Sequence, residues 1–199
     1  MPTDSPRPET TSRPARKRLL RAAADLFYNE GLAATGIDTI TRRAGVAKQS
    51  LYNNFASKEE LVAAYIEARH DEWLALHAER AARAESPADR VLAIFDAYQD
   101  HAEAAYRRGF RGCGLLNAAA ELVADHPGRA AVRRHKEEVD ALLGQALALL
   151  LPDDPARAAT LVPHLTYLLE GAMARAGLDG TGARVAEARA IAARLLATA

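Results

Sequence analysis

Cysteine is nearly absent from this chain: there is one, Cys113, in 199 residues. No disulfide can close within the chain, which fits a reducing compartment. Aromatic residues are scarce, with Trp73 the single tryptophan. Long hydrophobic runs are missing too. The longest, ALLGQALALLL over residues 141–151, is interrupted by Gln145 and falls short of the roughly 20 residues a membrane span needs. The opening MPTDSPRPETTSRPARKR lacks the apolar stretch of a secretory signal. The expectation is a cytoplasmic protein with no membrane partner. No segment alternates apolar and polar residues as a half-buried strand does. No glycine-rich phosphate loop or nucleophile elbow is present. The six histidines, at 70, 77, 101, 126, 135 and 164, lack metal-ligand spacing, and His70 and His101 read as surface partners of Glu67 and Glu103. The sequence therefore predicts no catalytic residues, no metal, no cofactor and no enzyme.

Net charge is also absent, since 26 Lys and Arg balance 26 Asp and Glu. The balance is uneven along the chain. Residues 1–56 hold nine basic side chains and five acidic ones, leaving an acidic remainder. A basic end on an acidic body points to a polyanionic partner for that end.

What is present is helix. About half of the residues are apolar, and Ala, Leu, Arg and Glu dominate. Residues 1–13, with three of the nine prolines, read as a disordered arm. Helical periodicity then predicts about nine helices, over residues 14–29, 37–44, 48–54, 57–83, 86–105, 115–123, 127–151, 155–176 and 183–197. Pro163 should kink or split the eighth. The fold class expected is all-α. A three-helix N-terminal domain over residues 14–60 would precede a helical domain over residues 61–199.

One stretch does not fit a helix that merely fills a core: GVAKQSLYNNFASKEEL, residues 45–61. Leu51 and Phe55 are four apart and share an inward face with Val46. Lys48, Gln49, Tyr52 and Asn53 are left on the other face. Two short helices joined by a Gly-containing turn, the second exposing such a face, make a helix-turn-helix. Gln and Asn can each bind a base edge through two hydrogen bonds, and Lys reaches guanine acceptors or phosphate. Tyr52 and Lys58 suit phosphate oxygens, Lys58 from the first turn of the next helix. Ser57 and Glu60 form a capping box there. Arg13 and Arg16 are candidates for phosphate or minor-groove contacts.

Over residues 15–62 the chain, ARKRLLRAAADLFYNEGLAATGIDTITRRAGVAKQSLYNNFASKEELV, resembles the N-terminal domain of the TetR family of bacterial transcriptional regulators. The resemblance rests on LFYNEG, on Ile40 with Ala44-Gly45-Val46, on Ser50-Leu51-Tyr52, on Phe55 and on Ser57-Lys58-Glu59. It implies DNA contacts at Thr35, Thr39, Lys48, Gln49, Ser50, Tyr52, Asn53 and Lys58. Family members often carry Gly or Pro where this chain has Gln49, which would alter base preference. The resemblance further implies a repressor released by a small molecule from a near-palindromic operator in double-stranded DNA. It implies a homodimer paired through residues 155–176 and 183–197, where Gly171, Ala172 and Ala176 would permit close approach.

The effector expected is apolar or amphipathic. Trp73, Tyr98, Tyr106, Phe110, Cys113, Asn117, Glu121 and Tyr167 are the candidates to line its pocket, although most aromatic residues at helical spacing are core. Asn117 and Glu121, four apart, would either orient a ligand or pair on the surface. Two alternatives stay open. One is a DNA-binding regulator without a small ligand, its input a redox change at Cys113. The other is an all-helical carrier or enzyme whose N-terminal helices only pack.

Overall fold

The computed structural model describes residues 12–103 and 108–198, with the backbone alone at residues 12 and 13. Among the described residues there are nine helices and no strand. They are α1 Ser12–Glu30, α2 Ile37–Ala44, α3 Lys48–Tyr52, α4 Lys58–Ala81, α5 Pro87–Glu103, α6 Gly114–Ala120, α7 Pro127–Leu150, α8 Pro155–Asp179 and α9 Ala183–Ala197. The chain divides into two units, Met1–Tyr65 and Ile66–Ala199.

In the first unit α1 packs on α2 and α3. Its apolar stripe buries Leu19, Ala23, Leu26 and Phe27, as the 3.6-residue period demands. Ile40 from α2 and Leu51 from α3 are fully buried in the same core, and Phe55 is 1% exposed. Gly45 ends α2 with φ +63°, and its N–H returns to the Arg42 and Thr41 carbonyls. A side chain at that φ is strained, so glycine makes the turn between α2 and α3. The capping box is present with a shift of one residue. Ser57 Oγ accepts from Glu60 N–H at 3.2 Å, but Glu60 Oε2 reaches the Ala56 N–H, at 2.6 Å, rather than that of Ser57.

In the second unit α5 lies against α7 and α9, α8 against α7 and α9, and α6 on α7. Val91, Ile94, Phe95 and Tyr98 of α5, Leu143 and Leu147 of α7, and Leu165, Leu169 and Met173 of α8 are all buried in this unit. Asp96 of α5 accepts from Arg189 of α9 at 2.5 Å, tying the two helices at their edge. Helix starts follow their side chains. Ser86 and Asp89 cap α5 reciprocally, Asp154 accepts from the Arg157 N–H ahead of Pro155, and His126 Nδ1 accepts from the Gly128 N–H.

Four expectations change. Residues 12 and 13, read as part of the arm, already belong to α1. The third helix stops at Tyr52, with Asn53 as its cap. Pro163 does not split α8, which runs on as one helix to Asp179. Ala172 and Ala176, expected to admit a partner, are 9% and 0% exposed and pack inside the protomer. Among the described residues no helix is long and apolar enough to cross a membrane.

Candidate nucleic-acid interface and interior cluster

Buried Leu51 orients α3, so its remaining side chains face outward. Lys48, Gln49, Tyr52 and Asn53 are all exposed, and Ser50 is half-buried. Tyr52 stands 45% exposed, unusual for an aromatic ring on so small a helix. The polar groups are not loose. Lys48 Nζ lies 2.9 Å from Asp38 Oδ1 of α2, and Gln49 Nε2 donates to Asn53 Oδ1 at 3.0 Å. The hydrogen bond to Asp38, with its charge, raises the Lys48 ammonium above its ordinary range.

Two further side chains hold this unit at its ends. Lys58 Nζ donates to the Leu32 carbonyl at 2.6 Å, bridging the segment after α1 to the start of α4. It keeps two more N–H donors. Arg16 lies over the Phe55 ring at 4.3 Å and donates to the Asn54 carbonyl at 3.5 Å. Thr39 is exposed on α2. Thr35 is different: it is 2% exposed and its hydroxyl donates to the Gly31 carbonyl at 2.7 Å. Its side chain closes the turn after α1, which corrects the expectation that it faces DNA. The side chain of Arg13 lies outside the described residues.

The candidates for an effector pocket fall into three groups. Trp73, Tyr98, Phe110 and Cys113 are buried in the second unit. Glu121 and Tyr167 are on the surface, Tyr167 at 74% exposure, so neither lines an interior site. Asn117 donates to the Arg111 carbonyl at 2.9 Å and holds the loop before α6. Tyr106 lies outside the described residues. Trp73, Tyr98 and Cys113 border a void of only about 10 Å³. That is room for about one water.

The residues around that void include several that sequence reasoning missed. His101 and His135, the first read as a surface group, are 8% and 3% exposed. Arg69 donates to His101 at 3.0 Å, and His70 and His135 share a hydrogen bond of 3.0 Å. Burial first, then Arg69 and Lys136, pushes His101 down to about 3. Burial first, then Lys136, His70 and His101, does the same to His135. Both rings are therefore neutral. Lys136 pairs with Glu170 at 2.7 Å, donates to the Tyr98 hydroxyl oxygen at 3.1 Å and lies 3.8 Å from Cys113 Sγ. Burial opposes its charge, but Cys113, Tyr98 and Glu170 together outweigh that and raise it well above 10.5. The signal was in the register. His101 falls three residues after Tyr98, and His135 falls between Val132 and Val139, each at an apolar position of its helix.

A glycine-turned pair of short helices, the second exposing a polar face, defines a helix-turn-helix DNA-binding protein. Comparisons with known proteins specify which kind. Residues 19–65 match the model for bacterial regulatory proteins of the tetR family. A TetR-family transcriptional regulator from Streptomyces coelicolor is 30% identical and superimposes with a TM-score of 0.81, over 92% of this chain and 94% of that one. The chain belongs to the TetR family of DNA-binding transcriptional regulators, and it is not an enzyme. A TetR transcriptional regulator from Chloroflexus aurantiacus is similar at 26% identity and a TM-score of 0.77, over 94% of this chain and 96% of that one. Among curated relatives, the HTH-type transcriptional repressor KstR2 of Mycolicibacterium smegmatis is 35% identical over 90 residues, 44% of each chain. The HTH-type transcriptional activator FasR of the same organism is 38% identical over 89 residues, 44% of this chain and 40% of that one. The match thus spans less than half the length of either curated relative.

Proposed function

We propose that the protein is a homodimeric, ligand-responsive repressor acting on a near-palindromic operator in the cytoplasm. The observation that carries the DNA-binding part is the outward face of α3, where Lys48, Gln49, Tyr52 and Asn53 stand exposed while Leu51 anchors the helix. Gln49 and Asn53 would read base edges, and Tyr52, Lys48, Ser50, Thr39 and Lys58 would meet phosphates or flanking bases. The first unit is the DNA-binding domain and the second the ligand-binding and dimerisation domain. Support for pairing comes from α8, where Tyr167, Gly171, Ala174 and Leu178 form an exposed stripe at helical spacing, and from exposed Ile191 and Leu195 on α9. An effector would bind the DNA-incompetent state better, and DNA would weaken effector binding by the same factor. Repression follows the likeness to KstR2, while FasR is an activator.

Selection from a random DNA library with purified protein at moderate salt tests the reading. A recovered pseudo-palindrome is the expected result. Binding without a motif that vanishes as salt rises would overturn it, since phosphate contact alone would then account for the affinity. A second reading is favoured by the small size of the void beside Cys113 and by the Lys136 ammonium next to its sulfur. In it the input is oxidation of the thiol. Operator release by peroxide, lost in Cys113→Ser, would select that reading.

A further inference from the structure

Arg69 borders the void in the second unit and Lys136 lies behind its Tyr98 and Cys113 wall, and both charges are already matched. Arg69 pairs with Glu72 at 2.6 Å, and Lys136 with Glu170 at 2.7 Å. His101 and His135 are neutral. Among the described residues one donor here is left over, beside one acceptor, the Glu170 Oε2 atom. Trp73 is 4% exposed and its indole N–H meets no acceptor among them. The ring is held rigidly, stacked on His77 at 5.4 Å and tilted against Tyr98 at 5.2 Å. Leu115 and the two aromatic rings make the rest of the lining apolar.

These groups discriminate between occupants. A cation entering here would meet Arg69, with the Lys136 charge close behind Tyr98 and Cys113. An anion would have to displace Glu170 or Glu72 from its partner. A plain hydrocarbon would leave the Trp73 N–H buried and unmatched. An uncharged molecule with an accepting oxygen meets none of these obstacles. We propose that this void is the effector site and that it takes a small uncharged carbonyl compound, its oxygen accepting from Trp73 Nε1–H and its hydrocarbon part lying on Tyr98 and Leu115. The proposal rests on the ligand-responsive reading above and names the class of effector. The association is non-covalent, because Lys136 is charged and its nitrogen has no free lone pair for the carbonyl carbon.

The occupant must move a wall, since the void now holds about one water. The wall of Cys113, Gly114 and Leu115 follows Gly112, which is pressed against α8. A Cβ on Gly177 of α8 would fall 2.7 Å from the Gly112 nitrogen. Displacement of the wall therefore loads α8, the helix that carries the exposed Tyr167 to Leu178 stripe.

Trp73 is the single tryptophan, so fluorescence excited at the red edge, where the six tyrosines do not absorb, reports this site alone. The probes are cyclohexanone, cyclohexanecarboxylate and cyclohexylammonium at neutral pH. Expected is a saturable change with cyclohexanone, and binding at least about tenfold weaker for both ions. By calorimetry, Trp73→Phe keeps one aromatic ring but removes the N–H with the five-membered ring, and it should weaken cyclohexanone by about tenfold while weakening methylcyclohexane less. Should that variant not fold, the single indole N–H resonance of the ¹⁵N-labelled wild type serves instead. It should move with cyclohexanone and stay in place with methylcyclohexane. No saturable response to cyclohexanone, an ion that binds as tightly as the ketone, or an unmoved indole resonance would each overturn the proposal. The regulator reading fails separately. A chain that selects an operator but ignores cyclohexanone keeps the first reading and loses this one; a chain that binds cyclohexanone but selects no operator loses the first reading and leaves a ketone site that is not an effector site.

Discussion

Gln49 Nε2 donates to Asn53 Oδ1 at 3.0 Å across one turn of exposed α3. The two amides hold each other in the free protein and leave the remaining Gln49 oxygen and Asn53 N–H groups pointing outward. Each amide is thus pre-oriented for a base edge. Asn53→Ala should relax preference at one or two operator positions, costing about 1–3 kcal/mol against the best sequence and little against random DNA. Competition binding with single-base operator variants measures it. A uniform loss across all sequences would assign Asn53 to phosphate instead.

Lys58 presents a separable pair of effects. Its bond to the Leu32 carbonyl is charge-assisted and partly buried, worth about 1.5–3 kcal/mol. Lys58→Met keeps the stem and loses that bond, so urea unfolding should shift by this order. If Lys58 also meets a phosphate, the slope of log affinity against log salt should fall by about one, equally for all sequences. A lower stability with an unchanged slope would leave Lys58 a purely structural role.

The buried histidines predict an acid-sensitive fold. Each has an ordinary value of 6.5 when unfolded and about 3 in the fold. Between those values the unfolded chain binds more protons, so stability is complete above about pH 6.5 and falls as pH drops towards 3. The limiting slope is about 1.4 kcal/mol per pH unit for each ring. Urea midpoints at pH 7.5, 6 and 5 should decline in that order. His101→Gln should shallow the decline by one proton's worth, and an unchanged slope would mean the ring is already charged in the fold.

Gly177 and Gly112 predict a steric result. The closest atoms to an added Gly177 side chain are all backbone, at 2.7 to 2.9 Å, so no side chain can swing away. Gly177→Ala should destabilise by about 1–3 kcal/mol. Gly171→Ala, where a Cβ meets nothing within 4 Å, should be neutral or slightly stabilising in the protomer. Thermal unfolding of the two variants, side by side, makes the comparison.

Much of this protein was readable in the chain itself. Helix positions followed from apolar periodicity, because one face of each helix must bury whatever the neighbour is. The α2–α3 turn followed from Gly45, since the left-handed φ there suits glycine and few others. The outward face of α3 followed from Leu51 and Phe55 alone. Tertiary structure decided the rest. Thr35 was buried by the packing of the first unit, its hydroxyl satisfied locally by the Gly31 carbonyl four residues back. Pro163 could stay inside α8 because packing on α7 and α9 holds that helix together around one missing N–H. The gathering of Arg69, His101, His135 and Lys136 depends on α4, α5 and α7 meeting at one level. Local periodicity tells which face of a helix is inward. Only the packing of helices distant in sequence tells which polar side chains share the inside.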